Sequence, residues 1–207
     1  MKLDFFNNKK ILLVAAHPDD EMLGAGGTVH HLVIKKKVTA YALILSKGIF
    51  SRISKENKKN LAKQEKNIAK AASIIGFKNA FTLDFPDNRF DSIDLLEIVR
   101  SIENKIASLR PDIIFTHHPM DLNIDHRITF QAVITATRPV PISKPISIFS
   151  FETPSSTEWQ SNESDKAFLP NFFIEIKKND LVAKQKALKA YTTECKEYPH
   201  PRSVKSL

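Results

Sequence analysis

The 207-residue sequence holds a single cysteine, Cys195. No disulfide can form within the chain, and nothing points to an oxidising compartment. Long apolar runs are also missing. The most apolar stretches, residues 11–16 and 38–45, fall far short of the roughly 18 residues a membrane helix needs, and residues 1–10 carry no run suited to a signal peptide. The expectation is a soluble, cytoplasmic protein without a membrane span. No internal repeat and no Gly- or Ser-rich linker interrupts the chain, so residues 1–207 read as one domain. Negative charge is in deficit. Lys and Arg number 31 against 23 Asp and Glu, a formal net charge of +8, which favours an anionic partner without choosing among phosphates, acidic glycans and nucleic acid. With 42% apolar and 26% charged residues, disordered and fibrous classes are excluded.

What is present alternates. Residues 11–16 form a short unbroken apolar run of the kind buried on both faces of a parallel sheet. Residues 38–46, 80–85, 112–116, 145–151 and 171–176 read as further strands. Helical spacing predicts helices over 27–37, 51–75, 92–109 and 127–137, with Gly76 and Pro111 placed where helix stops belong. This is an α/β pattern: a mainly parallel sheet with helices on both faces, followed by an irregular C-terminal third. In such folds ligands bind beyond the carboxyl ends of the strands.

Two strand ends carry unusual chemistry. The first runs into His17-Pro18-Asp19-Asp20-Glu21. A solvated loop opening a helix explains one or two acids there, but not a histidine and three acids at the mouth of a buried strand. His17 and Asp20, three apart, can converge on one metal ion, with Asp19 between them close enough to handle a proton from water. The fourth strand runs into His117-His118 and then Asn123-Ile124-Asp125-His126-Arg127. His126, held rigidly at the start of a helix, is the expected third ligand. Two imidazoles and a carboxylate leave one zinc position open, as a catalytic site requires.

These residues resemble the PIG-L/LmbE-like zinc-dependent N-deacetylases. The resemblance lies in residues 16–21 and in Asp125-His126-Arg127, with weaker likeness at 83–87, 151–159 and 198–203. It implies a Rossmann-like fold, zinc on His17, Asp20 and His126, and Asp19 as general base. Asn123 and Asp125 join Asp19 in the expected catalytic set. The implied reaction hydrolyses the acetamido group of an N-acetylglucosamine-like sugar, free or carrier-linked. Two departures stand out. Many relatives carry a histidine where this chain has Asn123, which donates a hydrogen bond but cannot deliver a proton at neutral pH. Asp19, or else His117 or His118, must then protonate the leaving nitrogen. Relatives also continue with a further helical segment where this chain stops at Leu207, so a trimmed C-terminal end is expected.

Asp87, Arg52 and His118 are the expected substrate contacts, Asp87 taking sugar hydroxyls; a plain turn explains residues 86–88 equally well. Gly24, Gly26 and Gly27 lack the spacing of a dinucleotide loop, and read instead as room for tight packing around the metal motif. Trp159 is either a sugar platform or a core anchor. The lysines at 35–37 and 58–59 lack interleaved aromatics and read as solvated helix faces, against a nucleic-acid partner. The rival to a deacetylase is a catalytically impaired metal-binding module of the same fold. A homo-oligomer is left open.

Overall fold

The computed structural model describes residues 3–48, 55–139, 144–161 and 166–207. Five strands, β1 (Lys10–Ala15), β2 (Thr39–Ser46), β3 (Asn79–Phe85), β4 (Ile113–His117) and β5 (Ser147–Phe151), form one sheet in the order β3-β2-β1-β4-β5. All four pairings are parallel. The unbroken apolar run of β1 has a physical cause. The strand is central, and alternate side chains enter two different cores. Ile11, Leu13 and Ala15 join one core; Leu12, Val14 and Ala16 join the other.

The first core is closed by α2 (Gly26–Lys36), α3 (Lys55–Ile75) and α6 (Lys178–Ala190), through side chains such as Val29, Leu32, Ile68, Ile75, Ala183 and Ala187. The second is closed by α4 (Leu95–Leu109) and α5 (Ile124–Ala136), through Ile98, Val99, Ile102, Ala132 and Val133. A four-residue helix, α1 (Asp20–Leu23), sits directly after β1. Helix boundaries follow local chemistry. Asp94 caps α4 by accepting from the Leu96 N–H at 2.9 Å. Gly76 ends α3 at φ +91°, a conformation glycine reaches without strain.

The α/β architecture agrees with the alternation in the sequence, and two details differ. Residues 171–176 pair with no strand among the described residues. They follow Pro170 without regular secondary structure and pack the half-buried Phe172 and Ile174 against the first core. The C-terminal third is less irregular than its pattern suggests, because α6 packs there. Its buried face is mostly alanine, Ala183, Ala187 and Ala190, which gives a weak periodic signal among lysines.

The chain leaves β1 toward β2 on one side and returns through α4 to β4 on the other. The sheet thus changes direction between the carboxyl ends of β1 and β4, where a crevice opens. Both histidine-bearing motifs end there.

Close packing at this crevice depends on Gly24. A methyl group at Gly24 would lie 2.2 Å from the Phe151 ring, which in turn packs on His117 at 5.0 Å between centroids. Gly24→Ala is expected to lower unfolding stability by about 1–3 kcal/mol through overpacking. Adding Phe151→Leu should recover part of that loss; an unchanged denaturation midpoint for Gly24→Ala alone would refute the packing role.

Candidate metal centre and its pocket

His17, Asp20 and His126 converge from three chain positions: the end of β1, the first residue of α1 and the first turn of α5. Their ligand atoms all lie within 4.8 Å of one another. Asp20 Oδ2 is 3.3 Å from His17 Nδ1 and 3.2 Å from His126 Nε2. The same oxygen accepts the His17 backbone N–H at 2.9 Å. Among the described residues, Asp20 Oδ1 and His126 Nε2 are buried without a hydrogen-bond partner. Leaving such atoms unsatisfied costs about 1–3 kcal/mol each, and a cation between them removes that cost. The donor set therefore fits a divalent ion.

The surroundings orient the ligands. His17 Nε2 donates toward Asp125 Oδ2 at 2.9 Å and lies 3.4 Å from Asp87 Oδ1, so Nδ1 is the nitrogen turned toward Asp20. Asp125 is fixed in turn, because its Oδ1 accepts the Phe90 N–H at 3.0 Å. His126 Nδ1 faces Asp121 Oδ1 at 3.0 Å. The hydroxyls of Ser156 and Thr157 donate to Asp121, the latter at 2.6 Å. His17, Asp87 and Asp125 also bring ligand atoms within 4.8 Å. In that grouping the carboxylates already hold the imidazole, and none of the unsatisfied atoms falls there.

Without an ion, the carboxylates around the two imidazoles keep protons on them, which a bound cation would displace. Burial alone would depress both imidazoles. Hydrogen bonds to Asp125 and Asp20 outweigh it at His17, which rises to about 10. At His126 the negative charge of Asp20, with Asp121 beside it, outweighs burial and raises the ring to about 9. Burial would raise the Asp20 carboxyl, but the His126 and His17 imidazoles hold it well below the usual carboxylate range. Burial likewise opposes, and His126, Ser156 and Thr157 enforce, a value of about 2 at Asp121.

Asp19 is different. It is 1% exposed, its φ of +96° lies in the left-handed region, and its Oδ2 has no hydrogen-bond partner among the described residues. Backbone strain of this kind collects at functional sites. The strained turn is braced from below. The Asp19 N–H donates to Glu21 Oε2 at 3.0 Å, while the Tyr191 hydroxyl donates to Glu21 Oε1. Burial pushes the Asp19 carboxyl well above its ordinary value; the Arg202 guanidinium, 3.3 Å away, opposes this, and Asp20, Glu21 and Glu194 add to it.

A cavity of about 130 Å³ opens over these groups. His17 and Asp19 line it from the end of β1, Asp87 and Asn88 from beyond β3, Asn123 from α5, and Glu194 and Arg202 from the C-terminal segment. Asn123 is oriented by its capping role. Its Oδ1 accepts the Asp125 N–H at 2.8 Å, and its amide nitrogen, 3.4 Å from Asn88 Oδ1, is turned to the cavity wall. Asp87 and Asn123 are thus at the pocket, whereas Asp125 stands behind His17 and positions it.

Other expected residues lie elsewhere. His118 bonds through Nε2 to the Lys166 carbonyl at 3.1 Å and lines a separate cleft of about 660 Å³ beside β5. That is a correction to its expected place among the substrate contacts. Its position after the β4 end turns it outward. Arg52 lies outside the described residues. His117 is fully buried; its Nε2 accepts the Ala16 N–H at 2.9 Å, so Nδ1 donates to Thr153 Oγ1 at 3.2 Å. Burial, with His126 beside it, holds this imidazole well below its ordinary value. It is neutral and occupied at both nitrogens, so it has no proton to deliver.

Asp121, Glu21 and Arg202 received no role from the sequence. Asp121 sits inside the second motif and was open to notice as a partner for His126. Replacing it with Asn is expected to weaken metal affinity about 10–100-fold, the usual worth of a carboxylate behind a metal-bound histidine. Competition with a chromophoric chelator reads this directly, and unaltered affinity would reduce Asp121 to a packing role.

The family model described as GlcNAc-PI de-N-acetylase (PIG-L) matches residues 12–137. Among solved structures, the conserved protein TT1542 from Thermus thermophilus is 24% identical, with a TM-score of 0.72 over 96% of this chain and 84% of that one. The N,N'-diacetylchitobiose deacetylase from Pyrococcus horikoshii is 19% identical, with a TM-score of 0.74 over 95% of this chain and 74% of that one. The zinc-inhibited form of teicoplanin deacetylase Orf2 is 15% identical, with a TM-score of 0.70 over 89% and 84%. At these identities the likeness carries the fold. No curated protein matches the chain by sequence.

Proposed function

The chain belongs to the PIG-L (GlcNAc-PI de-N-acetylase) family, and on that premise we propose that it is a zinc-dependent hydrolase removing the acetyl group from an N-acetylated amino sugar. The observation that carries the reading is the juxtaposition of a two-histidine, one-carboxylate cation site with a buried, strained Asp19 that is not a member of it. His17, Asp20 and His126 would hold the zinc, which would supply Lewis-acid polarisation of the amide carbonyl and acidify the attacking water.

The rest is done by the chain. Asp19 accepts the proton of the attacking water, a role suited to a carboxylate whose proton affinity burial has raised. Arg202 holds that carboxylate in place from the opposite wall. Collapse of the tetrahedral intermediate needs a proton on the leaving nitrogen. His117 is committed at both ring nitrogens and His118 faces another cleft, so Asp19 returns the proton it took. The Asn123 amide donates to the oxyanion or an acetamido oxygen, worth a few kcal/mol at most. Asp87 takes sugar hydroxyls.

The test is release of free amine from a panel of N-acetylglucosamine derivatives by protein loaded with zinc, stripped by chelator, and reloaded. The net charge of +8 puts phosphate-bearing members of the panel first. Activity that follows zinc through the cycle is expected. Full zinc occupancy with no amine from any member would favour the metal-binding module without turnover.

A further inference from the structure

The catalytic pocket is small. Its volume of about 130 Å³ is well under the roughly 300–1,000 Å³ of clefts that enclose a drug-sized ligand. It admits an acetamido group and part of the ring bearing it; whatever else the substrate carries must lie on the rim.

Apolar side chains stand exposed on two segments that adjoin the pocket lining, the start of α5 and the 155–160 loop that bonds Arg202. Leu122 and Ile124, on either side of Asn123, are 46% and 44% exposed, and Trp159 is 54% exposed. A core anchor would be buried, so Trp159 is not one. Its loop is nevertheless braced. Glu158 accepts the Ser155 N–H at 2.6 Å and the Ser156 N–H at 3.2 Å, and Gln160 donates to the Met120 carbonyl at 3.0 Å. The indole meets the His200 ring edge-on, 6.3 Å between centroids. His200 Nδ1 accepts the Arg202 N–H at 3.0 Å, and the Arg202 side chain bonds Ser155 Oγ at 2.6 Å and reaches Asp19. A rigidly mounted indole thus stands in water one residue contact away from the arginine in the pocket wall.

Resting on the deacetylase reading, we propose that Trp159, backed by His200, is a stacking platform for a second sugar ring joined to the one being deacetylated. The C–H face of a pyranose is apolar and packs flat on an aromatic face while its hydroxyls stay in water. An exposed indole on a braced loop offers such a face with little ordering cost.

Trp159 is the chain's only tryptophan, so its emission reports on this position alone. Titration of the zinc-loaded protein with N-acetylglucosamine, N,N'-diacetylchitobiose and the corresponding trisaccharide is expected to give a saturable emission change with the two longer sugars and none with the monosaccharide. Trp159→Ala should raise KM for the disaccharide about tenfold, the scale of one aromatic contact. Its kcat, and kcat/KM for the monosaccharide, should stay unchanged, and Trp159→Phe should restore most of the lost KM. No saturable response to the disaccharide, or an equal response to the monosaccharide, overturns the platform. An intact emission response without amine release would instead overturn the deacetylase reading and leave the platform standing.

Discussion

Asp19→Asn is expected to keep its zinc and lose about 10²–10⁴ in kcat, the usual worth of a general base. The substitution isolates the proton-accepting function for structural reasons. Asp19 sits at φ +96°, and Asn tolerates the left-handed region as well as Asp does, whereas Ala does not. The Glu21 carboxylate still receives the residue-19 N–H, so the turn between β1 and α1 keeps its shape. Asp20, the neighbouring ligand, keeps its bond from the His17 backbone. What changes is the charge facing Arg202, which retains Glu194 at 3.5 Å as a second partner. Zinc content by elemental analysis and kcat by amine release check the two halves separately. Zinc lost in step with activity would make Asp19 a ligand and leave the pocket without its base.

The two motifs were legible because metal and proton chemistry needs particular side chains at short spacing behind a buried strand. His17 and Asp20 are separated by less than a helical turn, and the run before them announced the strand. His126 was legible for a related reason, at the opening of a helix behind a second strand. The supporting residues were not. Arg202 meets Asp19 across 183 positions of chain, and Tyr191 meets Glu21 across 170, separations that no spacing rule connects. Both contacts depend on α6, whose alanine face was too faint to read among its lysines. The expected strand at 171–176 erred the other way. It has the alternation of a strand, but that alternation arises from laying Phe172 and Ile174 on the first core without joining the sheet. His118 shares with His117 its residue type and its place at the end of β4, which is all that the sequence displays of it. Adjacent residues leaving a strand point to opposite faces, so His117 turns inward to the Ala16 N–H while His118 turns to another cleft.

His126→Ala is expected to lose most of the bound zinc and all measurable turnover. Removing this imidazole leaves two protein ligands, too few for the three-ligand, open-position geometry of a catalytic zinc. It also strips Asp20 and Asp121, both fully buried, of the ring nitrogens that face them at 3.2 and 3.0 Å. The ion contributes several kcal/mol of charge stabilisation to the reaction, and each 1.36 kcal/mol is tenfold in rate, so a residual rate below about 10⁻³ of the parent follows even where other contacts survive. The stack of His117 on His126, 3.9 Å between centroids, makes a cavity in the variant a concern, and His126→Gln answers it by keeping most of the volume. Both variants should bind zinc poorly, and only the Ala variant should also unfold at markedly lower denaturant. Full zinc occupancy in a folded His126→Gln protein would remove His126 from the ligand set, and the second grouping around His17, Asp87 and Asp125 would then be the ion's place.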